Sequence, residues 1–201
     1  LDCGQRKGAV SQGALLFTHF GFSGPSVLDI SRHWLCLKSQ KPSLVVNFLP
    51  FEIESEFLER LIENGQKNPK GSVKKFCSQK LPERLVEVLF RKGDIPEAIS
   101  FAELSRSKRG ALVRALFHCP VEISGTLGYA KAEATAGGID MKEVDPRTLG
   151  SKFCPGLFFA GEILDVDGRI GGFNLQWAWS SGVAAGRATA RFLMGLDSKN
   201  R

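Results

Sequence analysis

No stretch of this sequence is apolar for long enough to cross a bilayer as a helix, which needs about 20 consecutive apolar residues, so no membrane partner is expected. No two of the five cysteines, Cys3, Cys36, Cys77, Cys119 and Cys154, lie close together, and no Cys-x-x-Cys or Cys/His ligand spacing occurs. That argues against a metal site and for reduced, mostly buried thiols in a cytoplasmic protein. The opening residues carry charge with no apolar run behind it, unlike a signal peptide. Residue 1 is Leu rather than Met, and the chain reads as cut from something longer. Internal repeats and low-complexity tracts are missing. So is a Gly-x-Ser-x-Gly motif with ordered His and Asp partners, which removes the support for Ser23 as a hydrolase nucleophile.

What is present is ordinary for a globular protein. The 201 residues are 43% apolar and 24% charged, enough for one sizeable core or a core plus a small second unit. The net charge of +6 comes from Lys and Arg spread along the chain, with modest clusters at 67–80 and 106–114. These clusters lack interleaved aromatics or a nucleic-acid motif, so they read as a solvated basic face and no nucleic-acid partner is expected. A general attraction for an anionic cofactor or substrate is a looser reading.

Four regions follow one another. In 1–50, residues 14–17 and 44–48 have the short apolar pattern of strands. Between them Phe20-Gly-Phe-Ser-Gly-Pro25 is turn-rich, and 26–34 predicts a short helix. Residues 51–117 read as helical. Ile53, Phe57, Leu58, Leu61 and Ile62 keep 3.6-residue spacing up to Gly65 as a stop, a second helix follows Pro82, and Ser100 with Glu103 forms a capping box ahead of Leu104, Leu112, Val113 and Leu116. In 119–136, residues 121–123 predict a strand and 125–128 a turn. From 137 on, 156–162 reads as a buried strand ending in Gly161 and Glu162. A loop rich in Asp and Gly comes next, and then a helix from Asn174 or Gln176 to about Met194, stopped by Gly195. Small residues fill the middle of that helix: Gly182, Ala184, Ala185, Gly186 and Ala188.

The last region carries the chemistry. A strand that delivers Gly161 and Glu162 to a sheet edge puts them where ligands bind in open α/β folds. Gly161 has no Cβ to hold a ligand off the backbone. Glu162, ionised, accepts hydrogen bonds from hydroxyl groups such as those of a sugar or ribityl chain. Gly171 and Gly172 permit a tight turn, and the helix behind them offers unpaired N–H groups and a positive dipole end, suited to a pyrophosphate or an anionic ring.

These residues closely resemble the closing flavin segment of the YhiN/BaiN-like flavoproteins, a family that includes proteins described as aminoacetone oxidases. The resemblance lies in Gly156-Leu-Phe-Phe-Ala-Gly-Glu162, Leu164-Asp-Val-Asp-Gly168 and Gly171-Gly-Phe-Asn-Leu-Gln-Trp-Ala-Trp-Ser-Ser-Gly182. It continues in Gly13-Ala-Leu-Leu-Phe-Thr-His-Phe-Gly-Phe-Ser-Gly-Pro25, Thr135-Ala-Gly-Gly-Ile139, Glu143-Val-Asp-Pro146 and Thr148-Leu-Gly-Ser-Lys152, in the same order. From it follows an expected fold class of α+β / α/β. Residues 1–134 would be an inserted domain, with a β-barrel part (1–50 and 119–134) and a helical part (51–118). Residues 135–201 would be the C-terminal segment of a two-dinucleotide-binding, Rossmann-like FAD domain.

The resemblance implies an FAD-dependent oxidoreductase acting on a small molecule by two-electron transfer, with NAD(P)H left open as a further partner. Gly161, Glu162, Asp165, Gly171, Gly172, Asn174, Leu175 and Gln176 would then bind the cofactor, and no catalytic residue stands out. The family's Gly-x-Gly-x-x-Gly is absent here, so the adenosine half of the site would lie on a missing N-terminal half and this fragment would be inactive alone. Phe173 stands where the family often has Tyr, and Arg169 is at a variable position. His19 reads as a residue satisfying backbone groups in a tight turn, Trp177 and Trp179 as packing residues, and Lys152 as a surface residue. The alternatives are a non-catalytic flavoprotein-fold binding module and a nucleic-acid-binding fragment.

Overall fold

The computed structural model describes residues 8–37 and 43–196; Cys3 and Gly4 lie outside them. The regular elements are β1 (Leu16–Thr18), β2 (Gly21–Ser23), α1 (Pro25–Cys36), β3 (Leu44–Val46), α2 (Glu54–Lys67), α3 (Val73–Cys77), α4 (Glu83–Lys92), α5 (Arg106–Phe117), β4 (Cys119–Val121) and α6 (Phe173–Leu193). Short 3₁₀ turns occur at Phe101–Glu103, Tyr129–Lys131, Met141–Glu143 and Gly161–Ile163. The class is mixed α and β. Among the described residues the sheets are two antiparallel pairs, β1 with β2 and β3 with β4. The chain divides into two compact units, Pro42–Ser124 and the remainder.

The first of these units is held by a large apolar core. In α2 the i, i+4 pair Phe57 and Leu61 is buried, and Glu54 and Glu56 in the first turn suit the positive end of the helix dipole. Gly65 does not end this helix, as its spacing predicts. The helix runs on to Lys67, because Gly65 is not among the glycines with positive φ and so does not take the left-handed conformation that ends a helix. Ser72 caps α3, Ser105 caps α5, and Pro82 opens α4. The Ser100–Glu103 capping box is present, but it closes the 3₁₀ turn at Phe101–Glu103 and not α5 itself. Phe57 meets Phe117 edge-on at 5.5 Å, and Phe76 meets Phe101 at 5.8 Å, in the T-shaped geometry aromatic rings favour. Leu44 pairs with Val121 and Val46 with Cys119, so the second strand ends at Val121, earlier than 121–123 predicts.

In the other unit β1 and β2 form a hairpin closed by Thr18, whose hydroxyl donates to the Gly21 carbonyl and accepts from the Phe20 N–H. Thr18 thus does what the sequence suggests for His19, which is exposed beside the Phe20 ring. Later in the chain Val144, Leu149, Leu164 and Ala185 form a small core, with Phe158, Phe159 and Trp177 packed on it. Trp177 is a packing residue, whereas Trp179 is 66% exposed. Residues 156–162 do not form a strand. Extended chain becomes a strand only beside a ladder partner. Here the neighbour is the short 149–151 segment, with bonds from Phe159 N–H to the Leu149 carbonyl and from Ser151 N–H to the Leu157 carbonyl. Gly161, at φ 76°, then turns the chain into a 3₁₀ turn. Gly195 ends the last helical segment in a left-handed conformation at φ 68°. No helix among the described residues is long and apolar enough to cross a membrane.

Candidate functional site

The glycine-rich residues 135–139 run alongside 161–165, with a parallel bridge between Ile139 and Leu164. Ile139 N–H donates to the Ile163 carbonyl at 2.9 Å, and Asp165 N–H donates to the Ile139 carbonyl at 2.9 Å. Both carboxylates join in. Glu162 Oε1 accepts from Thr135 N–H at 2.5 Å, and Asp165 Oδ1 accepts from Gly137 N–H at 3.0 Å. Gly138 is obligatory in this arrangement. Its φ is 140°, and an added Cβ would fall inside the envelope of the Ile163 carbonyl.

Gly161 is fixed from both sides by α6. Its N–H donates to the Ser181 hydroxyl at 2.9 Å, and its carbonyl accepts from Trp177 Nε1 at 3.2 Å. Ser181 is 1% exposed and donates in turn to the Trp177 carbonyl at 2.6 Å. The Trp177–Ser181 spacing of four places both side chains on one helix face. That spacing was legible in the sequence, although the role of Ser181 was not.

The loop before α6 is locked by side chains. Asn174 Oδ1 accepts from Gly168 N–H at 2.7 Å, and Asn174 Nδ2 donates to the Gly168 carbonyl at 3.2 Å. Two residues of α1, which no sequence signal marks, hold the same loop. Asp29 Oδ1 accepts from Ile170 N–H at 2.8 Å, and Arg32 pairs with the Asp167 carboxylate. Helix α6 starts behind Gly172, which is left-handed at φ 88°, with no side-chain cap and no acidic residue in the first turn. Its first N–H groups therefore have no intrahelical or capping partner.

The structure brings Gly161, Glu162 and Asp165 together with the return segment, and Gly171, Gly172, Asn174, Leu175 and Gln176 to the start of α6. Leu175 is 61% exposed, and Gln176 donates to the Ser180 hydroxyl at 2.9 Å. An added Cβ on Gly161 or Gly172 would meet nothing within 4 Å, so the chain leaves open space beside both backbones. Open glycine backbone next to an uncapped helix end suits a ligand carrying negative charge. Phe173 packs over Gly168 and Gly171. Lys152 is an exposed residue that donates to the Lys142 carbonyl at 2.7 Å. Among the described residues no group of three His, Cys, Asp or Glu could hold a metal.

The fold is that of a mixed α and β protein, with its candidate site at a glycine loop and a helix end. Its particular family is shown by comparison: residues 1–134 match the model described as the HI0933-like protein barrel and H2TH domain, and the chain belongs to that family. Over 179 residues it is 42% identical to the ribosomal RNA dihydrouridine synthase of Escherichia coli K12, an alignment covering 89% of this chain and 42% of that protein. It is 38% identical over 177 residues to the Haemophilus influenzae protein of the same name, covering 88% and 42%. To the 3-dehydro-bile acid delta(4,6)-reductase of Clostridium scindens it is 34% identical over 189 residues, covering 93% and 46%. The chain thus spans less than half the length of these relatives.

Proposed function

We propose that the full-length protein carrying this chain is an FAD-dependent oxidoreductase that reduces a carbon–carbon double bond conjugated to a carbonyl, with uridine in ribosomal RNA as its substrate. The observation that carries the flavin part is the uncapped start of α6 behind Gly172, beside open space at Gly161 and Gly172. The reaction class is supported by what the relatives' names share. Dihydrouridine is uridine with its C5–C6 double bond reduced, and a reductase of a 3-dehydro-bile acid at positions 4 and 6 likewise acts on double bonds conjugated to a carbonyl. The RNA substrate takes the place of the small molecule that the resemblance implies and reverses the expectation of no nucleic-acid partner.

Once reduced by NAD(P)H, a bound FAD would supply the hydride equivalent for the double bond. The chain's own residues hold and tune the site. The N–H groups at the start of α6 stabilise negative charge on the cofactor. Gly171 and Gly172 let it approach the backbone, while Asn174 keeps the loop in shape and Leu175 and Gln176 flank it. Glu162 has one oxygen on Thr135 N–H and offers the other to a cofactor hydroxyl. Asp165 holds the return segment. This chain spans less than half of the relatives' length, and the remaining wall of the site and the proton donor to the substrate's second carbon are sought in the remainder. In this reading residues 1–134 are the inserted barrel and helical domain, and 135–201 return to the Rossmann-like FAD domain.

The test uses the full-length protein. Its visible spectrum should show bound flavin, and incubation with NADPH and unmodified ribosomal RNA should yield nucleosides heavier by two hydrogens at uridine. A colourless protein that takes up no FAD would sink the flavin reading. Flavin reduction without dihydrouridine, together with turnover of a steroid enone, would favour the small-molecule reading that the third relative's name supports.

A further inference from the structure

We propose that the helical unit carries an RNA-backbone contact face where residues 67–71 meet the start of α5, with Lys70, Arg106 and Arg109 contacting phosphates of the substrate RNA. This rests on the reading of the protein as an RNA uridine reductase and says where, on this chain, the RNA is held.

The face is made by the fold and not by a run in the sequence. Phe101 N–H donates to the Gly71 carbonyl at 3.0 Å, and Ala102 N–H donates to the Pro69 carbonyl at 2.8 Å. These bonds lay the turn after α2, with Lys67 and Lys70, against the 3₁₀ turn at Phe101–Glu103. Helix α5 begins three residues later with Arg106, Lys108 and Arg109. Two basic segments almost 40 positions apart are thereby joined; beside them a groove of about 270 Å³ runs between the last turns of α2 and Phe101, with Arg109 at its edge.

Several acids of the unit are already engaged. Glu83, Glu87 and Glu97 surround Lys74, Glu52 pairs with Arg60 and Lys80, and Glu54 pairs with His118. The two acids near the face are also engaged: Glu63 faces Lys67, and Glu103 accepts from the Ser100 N–H and hydroxyl. None of the ion pairs among the described residues involves Lys70, Arg106 or Arg109. Helix α5 has no acid in its first turn, where Arg106, Lys108 and Arg109 add positive charge to the positive end of the dipole. Such an arrangement is unfavourable in the free protein and is relieved by an anionic partner. Cations spread over two segments suit a chain of phosphates.

The experiment compares the full-length protein with K70Q/R106Q and with the charge-conserving K70R/R106K, both at exposed positions. Affinity for a ribosomal RNA fragment is measured over a range of KCl concentrations, alongside flavin content and NADPH oxidation without RNA. The expected result is roughly tenfold weaker binding for K70Q/R106Q and a salt slope smaller by about two, with flavin content and RNA-independent NADPH oxidation unchanged. K70R/R106K should bind as the unaltered protein does. If the unaltered protein binds and reduces RNA but K70Q/R106Q keeps its affinity and slope, this face is wrong and the RNA reading stands. If the unaltered protein neither binds nor modifies RNA, both fall. Retention of an acidic protein by this face, with RNA binding insensitive to the substitutions, would also overturn the proposal.

Discussion

Ser181 and Gly161 are 20 residues apart in the chain, and the buried Ser181 hydroxyl accepts the Gly161 N–H at 2.9 Å. This bond ties the turn that carries Glu162 to the third turn of α6, and the bond from Trp177 Nε1 to the Gly161 carbonyl ties it to the second. Both halves of the candidate site therefore share one helix as their support.

Replacing Ser181 with Ala leaves the Gly161 N–H without its partner in a part-buried setting, a cost of about 1–3 kcal/mol. For a protein of this size that is a fall in melting temperature of roughly 2–4 °C per kcal/mol. Thermal melts of the full-length variant should show it, together with lowered flavin content. An unchanged melt would mean that the bond contributes nothing.

Gly138→Ala should be far more harmful than Gly182→Ala. At 138 the methyl group collides with the Ile163 carbonyl at a φ of 140°, whereas at 182 nothing lies within 4 Å. The first should cost about 2–4 kcal/mol; the second, in mid-helix, should be neutral or stabilising by up to about 1 kcal/mol. Urea midpoints of the two variants check the order, and equal midpoints would refute the close approach at Gly138.

Glu162→Ala removes the tie to Thr135 N–H and, on the proposed function, the oxygen that would meet a cofactor hydroxyl. The expected outcome is weaker flavin retention on gel filtration of the full-length protein, while Lys152→Ala retains flavin normally. Equal flavin content in the Glu162 variant and the unaltered protein would remove Glu162 from the site.

In the helical unit, the hydrogen bond from Lys80, assisted by Arg60, holds the Glu52 carboxyl below its ordinary value of 4.5 against the opposing effect of burial. A carboxylate depressed in the folded state favours folding above its unfolded pKa, and the contribution fades as pH falls through the folded value. The stability gap between the protein and its Glu52→Gln variant should thus be full at pH 7 and shrink below about pH 4.5. Denaturation midpoints at several pH values measure this, and a gap independent of pH would contradict it.

Much of the helical unit was legible because its cues are local. The 3.6-residue spacing of Phe57 and Leu61, Pro82 before α4 and the Ser100–Glu103 box all act within a few residues. Gly65 misled, because glycine ends a helix only where the chain takes the left-handed conformation, and Gly65 stays helical. Locality sets the limit at the candidate site too. Gly171, Gly172 and the start of α6 could be read from adjacent residues. Asp29 and Arg32 could not, since their hold on Ile170 and Asp167 exists only after folding brings α1 to that loop. The 156–162 stretch has the composition of a buried strand, but strand formation also needs a neighbour, which composition cannot supply.

The pairing of Leu44 with Val121 has a consequence for how such a protein can change. Directly opposed residues in an antiparallel pair stand about 5 Å apart, so everything between them is one long excursion that leaves and returns through a single doorway. A shorter loop or a longer helical cluster of the same span could be exchanged there. A change of that kind would rebuild the helices while leaving the hinge of paired strands that frames them as it is.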